Sequence, residues 1–305
     1  MLKQFKIKIN DKNSDQRIDS LCAKLFPEFS RTAFKSRGMF KCDGVAKPSK
    51  TRTQADETWK IELTENAPRF EKLIPWDCPL KILHDSKTWC AVEKPAGIST
   101  HFSPSENSQK TLANALLFHF GKNLATNTEI IENEEIPRPG LVNRLDKPTS
   151  GIVLVAKTDG ALRFFQKNWS KAEKFYSAIV SGKPPLSGKI EGGILRDTKN
   201  RQKMTVSASE KARSATTLFW REGINESKNA SIIKVQILTG RTHQIRVHFS
   251  AIGFPLLGDE KYGGGKAERL FLHAHKLRIP NPDDKEKFIE IESEIPTEFG
   301  FVGKK

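Results

Sequence analysis

The sequence predicts an α+β protein: a domain built on a mixed, mainly antiparallel β-sheet with flanking helices, preceded by a small α/β domain at the N-terminus. Three observations point there. Strand-like runs outnumber helix-like ones and follow one another in irregular order, without the strand–helix alternation of a parallel sheet. Residues 1–62 carry a self-contained set of patterns, and an aperiodic stretch with Asn66, Pro68, Pro75 and Pro79 separates them from the rest. A chain of 305 residues also suits one large and one small domain.

Each element has its own signal. Gln4–Ile9 alternates polar and apolar residues as a half-buried strand does. Arg17–Phe26 places Ile18, Leu21, Cys22 and Leu25 on one helical face. Ser30 reads as the N-cap of a second helix that starts near Arg31, carries Arg31, Lys35 and Arg37, and stops at Gly38. A short strand ends in the Asp43-Gly44 turn, and Trp59–Leu63 alternates again. Beyond the linker, Leu80–Leu83 and Trp89–Val92 are short strands, and Lys94–Gly97 (KPAG) breaks the second. Thr111–Phe120 is helical. Residues 121–139, acidic and rich in Asn, read as an exposed loop. Ile152–Ala156 is a buried strand, and Thr158 caps a helix reaching about Trp169. Strands follow at Lys174–Ser181, Met204–Ser207, Ala215–Trp220 and Ile232–Leu238, then a short helix at Thr242–Ala251, then strands at Leu270–Ile279 and Phe288–Ile291.

Composition narrows the class of partner. Lys and Arg number 51 against 36 Asp and Glu, a net charge of +15. Such an excess calls for a polyanion, either nucleic acid or an anionic membrane surface. No apolar run approaches the roughly 20 residues of a spanning helix. The opening MLKQFKIKIN is a strand pattern without the apolar core of a leader peptide. Cys22, Cys42, Cys78 and Cys90 form no CxxC pair and read as free thiols in a reducing compartment. The expectation is a cytoplasmic protein that does not enter the membrane.

Several kinds of machinery are missing: a phosphate-cradling glycine loop, a GxSxG elbow and an HExxH helix. His243, His248, His273 and His275 have no cysteine or carboxylate at ligand spacing, so no metal is expected. Three segments remain. In Leu141–Thr158 (LVNRLDKPTSGIVLVAKT), Asp146 stands between Arg144 and Lys147 before a turn into a buried strand. Cations that close favour a charged carboxylate, which makes Asp146 a nucleophile, a base or simply a loop ion pair. In Leu238–Gly264, Arg241, His243, Arg246 and His248 crowd the start of a helix, a place suited to phosphate or an amphipathic surface. In Lys174–Gly182 (KFYSAIVSG), Tyr176 shares a strand face with Ala178, either to stack on a base or to fill a sheet face.

Taken in order, these segments resemble the RluA-type pseudouridine synthases, which modify ribosomal or transfer RNA. The resemblance spans nearly the whole chain. It rests on LKILHDSKTWCAVEKPAGISTH (80–101), NRLDKPTSG, KFYSAIVSG, NRQKM (200–204) with VSASEKARSATT, TGRTHQIRVH, GDEKYGG and FLHAHKL (271–277). Residues 15–62 are similar to the small S-four-like RNA-binding module. The resemblance thus implies a small RNA-binding domain at 1–62, a linker at 63–79 and a catalytic domain at 80–305. It makes Asp146 the catalytic aspartate and implies that Arg144 enters the RNA helix where the uridine leaves. Tyr176 would pack on the flipped base, Arg246 would pair with Asp146 and hold it charged, and Leu272 would wall the base pocket. Arg241 and His243, with Arg31, Lys35 and Arg37 of the N-terminal module, would contact RNA. The implied reaction needs no cofactor, because nothing is oxidised or hydrolysed. The implied partner is structured RNA, ribosomal favoured over transfer, bound by a monomer. One departure is Asn143, where the family usually carries His. The alternative is a non-catalytic RNA-binding or ribosome-assembly factor with the same fold, against which the intact Asp146, Tyr176 and Arg246 set argues.

Overall fold

The computed structural model describes the chain except residues 1, 27–28, 30, 32–33, 36–37, 65–72, 103–108, 122, 126–127, 132–133 and 301–305. It forms two compact units: residues 1–72 with 103–105 and 126–138, and residues 73–102, 106–125 and 139–305.

In the first unit, β1 (Leu2–Lys8), β2 (Gly38–Cys42), β3 (Val45–Lys47) and β4 (Thr58–Thr64) make an antiparallel sheet in the order β1-β4-β2-β3, with helix α1 (Ile18–Leu25). Its core is Ile18, Leu21 and Cys22 of α1 against Ile7, Phe40, Trp59 and Ile61 of the strands. The Asp43-Gly44 turn has positive φ at both residues (47° and 86°), as a two-residue hairpin requires. Arg31 and Lys35 are exposed. The Arg31 Nε lies 3.4 Å from Asp19 Oδ2, a buried carboxylate that Arg17 also holds at 2.8 Å. Ser30 and Arg37 lie outside the described residues, as do residues 65–72 of the expected linker.

The second unit begins with β5 (Lys81–Asp85), β6 (Trp89–Lys94) and helix α2 (Leu112–Phe120). Residues 121–139, expected as an exposed loop, are ordered differently. Leu124 and Ala125 are buried, and the Ala125 N–H donates to Ala156 O. Residues 126–138 belong to the first unit, where β7 (Thr128–Ile131) and β8 (Glu134–Pro137) pair as an antiparallel hairpin. Ladder pairing needs no apolar periodicity, and the Glu and Asn here hid strand formers such as Thr128, Ile130 and Ile136.

The large sheet is completed by β9 (Ser150–Ala156), β10 (Glu173–Ser181), β11 (Ser187–Arg196), β12 (Met204–Ser207), β13 (Arg213–Asn225), β14 (Ala230–Ile237), β15 (Leu272–Pro280) and β16 (Phe288–Glu292). Its order is β12-β11-β13-β14-β10-β15-β9-β6-β5, with β16 also on β15. Only β9 and β15 run parallel, so the sheet is mixed and mainly antiparallel as expected. The sequence reading passed over β11 because Gly192 and Gly193 sit inside it. A Cβ on either would approach Val206 Cγ1 or Ala212 Cβ to 2.7 Å, so neighbouring chain leaves room only for glycine.

Helix α3 (Asp159–Asn168), capped by Thr158 Oγ1 accepting from Ala161 N–H at 3.2 Å, presses Leu162 and Phe165 onto Trp89, Ile152 and Leu154. Helix α4 (Gln244–Ala251) presses Ile245 and Phe249 onto Phe219, Ile233 and Val235. Fully burying one such side chain contributes roughly 1.5–3 kcal/mol, so these two helices fix the sheet that carries the site.

The parallel contact of β9 with β15 depends on Gly151. Its φ is +117°, and a Cβ there would lie 2.3 Å from Ala274 O. Gly151→Ala is therefore expected to destabilise the protein by about 2–4 kcal/mol through strain and a forced backbone shift. Thermal melting checks this, and an unchanged Tm would refute the close approach.

Candidate active site

The segment leading into β9 is tied down on every side. Leu145 exchanges two hydrogen bonds with Thr100: its N–H donates to Thr100 Oγ1 at 3.1 Å, and its carbonyl accepts from that hydroxyl at 2.6 Å. The Thr149 N–H donates to Asp146 O at 3.0 Å, and the Gly97 N–H to Lys147 O at 2.9 Å. Lys94 is fully buried and donates to the carbonyls of Pro95 and Ile98, each at 2.8 Å, and of Lys147 at 3.2 Å. Burial drives this ammonium down to about 7; the Asp146 charge opposes the shift and Arg269 adds to it. Asn143, the residue at which the sequence departs from the resemblance, takes part in the bracing. Its Oδ1 accepts from Leu154 N–H at 2.8 Å and its Nδ2 donates to Ile152 O at 3.2 Å, so the side chain extends the β9 ladder. Asp146 thus stands on a braced turn with its side chain 18% exposed.

Arg246 reaches Asp146 from α4. Its Nη1 donates to Asp146 Oδ2 at 3.2 Å, while its Nε and Nη2 hold Asp259 Oδ2 and Oδ1 at 2.7 and 2.8 Å. The pairing expected for Arg246 is present, and so is a second carboxylate that the sequence reading did not assign. Burial alone lowers the affinity of Arg246 for its proton; the Asp259 hydrogen bonds and charge, with those of Asp146, outweigh it and leave the guanidinium more basic than usual. Bidentate contact with a buried carboxylate also fixes the plane of the guanidinium, and therefore the direction of its remaining N–H. Asp259 is held by the GDEKYGG turn, where Gly264 N–H donates to Asp259 O at 2.8 Å. A Cβ at Gly264 would fall 1.6 Å from Leu256 O, which explains the glycine.

Tyr176 lies in line with this loop. It pairs with Ala274 of β15, which pairs with Gly151 of β9, so the three residues form one row across the sheet. Tyr176 packs against the cluster that contains buried Leu272. Burial first, and the Asp146 charge second, push its phenol well above the ordinary range, so it stays protonated. Arg144 is exposed beside Asp146. Arg241 is partly exposed and donates from Nε to Ser214 O at 3.1 Å.

The start of α4 differs from the expected phosphate-binding cluster. Arg246 is 5% exposed and His248 is fully buried, with Nδ1 3.0 Å from Thr217 Oγ1. Both turn inward because Arg246 has two buried or half-buried carboxylates to meet and His248 lies under β13. His243 also faces the carboxylate: its Nε2 is 3.8 Å from Asp146 Oδ2 and its Nδ1 is 2.7 Å from Tyr262 Oη. Lys94, Asp259 and Tyr262 escaped the sequence reading. All three lie in KPAG and GDEKYGG, where a side chain facing inward leaves no periodic trace.

A partly exposed carboxylate, clamped by a buried guanidinium beside a protonated tyrosine, is an arrangement suited to carboxylate chemistry on a mixed sheet. The family described as RNA pseudouridylate synthase matches residues 88–251. The ribosomal large subunit pseudouridine synthase D of Zymomonas mobilis is 33% identical over 307 aligned positions, covering 94% of this chain and 93% of that protein. An RNA pseudouridine synthase of Aquifex aeolicus is 36% identical over 270, covering 85% and 79%. Among solved structures, human RNA pseudouridylate synthase domain containing 1 is 25% identical with a TM-score of 0.55, covering 71% of this chain and 83% of its own. The chain belongs to the RNA pseudouridylate synthase family, in its RluA-type branch. It is an isomerase that converts uridine in RNA to pseudouridine. Among the described residues no helix is long and apolar enough to cross a membrane.

Proposed function

We propose that this enzyme modifies uridine in large-subunit ribosomal RNA, with Asp146 as its catalytic carboxylate. Residues 1–62 serve as the accessory RNA-binding domain and residues 80–305 as the catalytic domain, in a cytoplasmic monomer. The observation that carries the choice of RNA is the Zymomonas mobilis relative, named for the large ribosomal subunit and aligned over 94% of the chain.

Isomerisation breaks the C1′–N1 bond, turns the uracil and joins C5 to C1′. A uridine in a duplex must first leave the stack, at a cost of a few kcal/mol. Arg144, exposed next to Asp146, occupies the vacated position, while contacts to phosphate from Arg31, Lys35, Arg37 and Arg241 offset part of that cost. Tyr176 and Leu272 wall the uracil, and Arg246 orients the Asp146 carboxylate toward the sugar.

Carbodiimide mapping by reverse-transcription stops tests the proposal in cells with and without the gene. Loss of one or more stops in large-subunit RNA, restored by the wild-type gene, is the expected result. Loss confined to transfer RNA would overturn the target class, and no lost stop at all would overturn the cellular role.

A further inference from the structure

His243 lies between Tyr262 and Asp146 in a geometry that fixes where its proton sits. Its backbone takes the left-handed conformation (φ 56°) just before α4, which turns the ring back toward the β9 loop and leaves it without a helix-capping role. Tyr262 Oη accepts the Met204 N–H at 2.8 Å and lies 2.7 Å from His243 Nδ1. With Oη already accepting one N–H, the arrangement we take is the one in which the Tyr262 hydroxyl hydrogen points to Nδ1. Nδ1 is then the acceptor, and the ring hydrogen must be on Nε2, the nitrogen 3.8 Å from Asp146 Oδ2.

We infer that His243 is a neutral, Nε2-protonated positioning residue, locked in that tautomer by Tyr262, which supplies a second hydrogen bond to the catalytic carboxylate when RNA closes the site. The inference rests on Asp146 being that carboxylate. Arg246 already donates to Oδ2 at 3.2 Å. A second donor approaching the same oxygen leaves Oδ1 as the oxygen available to substrate. The gap of 3.8 Å is longer than a hydrogen bond, as is usual for catalytic contacts before substrate binds. The charged groups around the ring are Asp146, Asp259, Arg246 and Lys261. Burial lowers the basicity of the imidazole, Arg246 and Lys261 add to that, and the two aspartates oppose it; the net direction is downward, toward the neutral ring.

The test uses the full-length protein in two parts. Long-range 1H–15N spectra of the histidine-labelled protein without RNA are expected to show the His243 proton on Nε2; a proton on Nδ1 overturns the inference. This readout does not require activity, so it survives even if the chosen RNA proves not to be a substrate. In turnover on RNA, His243→Ala is expected to lower kcat about 10- to 100-fold, the range of a lost hydrogen bond to a charged group, with KM little changed. His243→Gln, whose amide nitrogen reaches the Nε2 position, is expected to recover a large part of that loss. Tyr262→Phe removes a hydrogen bond that only the unprotonated Nδ1 accepts. His243 then protonates at higher pH, which the same 1H–15N spectra read as an upward shift of its titration. A kcat for His243→Ala equal to wild type, a Gln variant no better than Ala, or an unmoved His243 titration in Tyr262→Phe would each overturn the role.

Discussion

Asp146→Asn is expected to abolish pseudouridine formation while leaving the protein folded and bound to RNA. The substitution is isosteric and removes only one charge. Arg246 keeps both of its hydrogen bonds to Asp259 (2.7 and 2.8 Å), so no buried cation is left without a partner. The Arg246 and Asp146 side chains are 6% and 18% exposed, and with the Asp259 contacts intact the weakened hydrogen bond costs roughly 1–3 kcal/mol of stability. An amide neither attacks a sugar carbon nor accepts a sugar proton, so the rate should fall on the order of 10⁴-fold or more. Release of tritium from RNA carrying 5-tritiated uridine reads this directly, because C5 gives up its hydrogen when it bonds to C1′. A gel shift on the same RNA reads binding. Turnover within about tenfold of wild type would remove Asp146 from the chemistry.

Arg246→Ala should fail in both fold and rate. Asp259 is 2% exposed and receives two of its hydrogen bonds from this guanidinium. Removing one partner of a buried ion pair costs about 3–5 kcal/mol, since the remaining charge stays buried and uncompensated. A double variant separates the two effects. Arg246→Met with Asp259→Asn takes away the stranded charge and should recover most of the lost stability by thermal melting. It should not recover turnover, because the guanidinium that donates to Asp146 is gone. If the double variant regained activity along with stability, the guanidinium would be a structural feature only.

The parts of this molecule that were legible in advance are those with a local cause. Thr158 before Asp159, Asp43 before Gly44 and the apolar run of β9 announce themselves within a few residues. The mixed, mainly antiparallel character of the sheet followed from their count and order. The parts that were not legible depend on distant neighbours. Asp259 is an ordinary acidic loop residue in the sequence; it becomes half of a buried clamp only because α4 delivers Arg246 to it. Gly192 and Gly193 look like breaks in a strand until Val206 and Ala212 are seen pressing on them. Arg246 and His248 read as surface cations at a helix start because helical periodicity does not reveal which face has buried partners. The pairing of Arg246 with Asp146 came from resemblance, since 100 residues separate them and no pattern in the chain connects them.

The clamp has a further consequence, for how a polyanion is sorted at the site. Two carboxylates, Asp146 and Asp259, share one guanidinium, so these three side chains together carry a formal charge of −1 in a chain whose total is +15. Arg144 and Lys147 flank Asp146 as exposed cations. Opposite signs a few ångströms apart are not averaged away at physiological salt, where screening acts over about 8 Å. With Asp146 as the catalytic carboxylate we propose, a phosphate is expected to be drawn to the rim and repelled from the middle, whereas an uncharged uracil and its sugar meet no such barrier. The same arrangement that orients the carboxylate is then expected to act as a filter on charge, keeping the backbone outside while a base comes in.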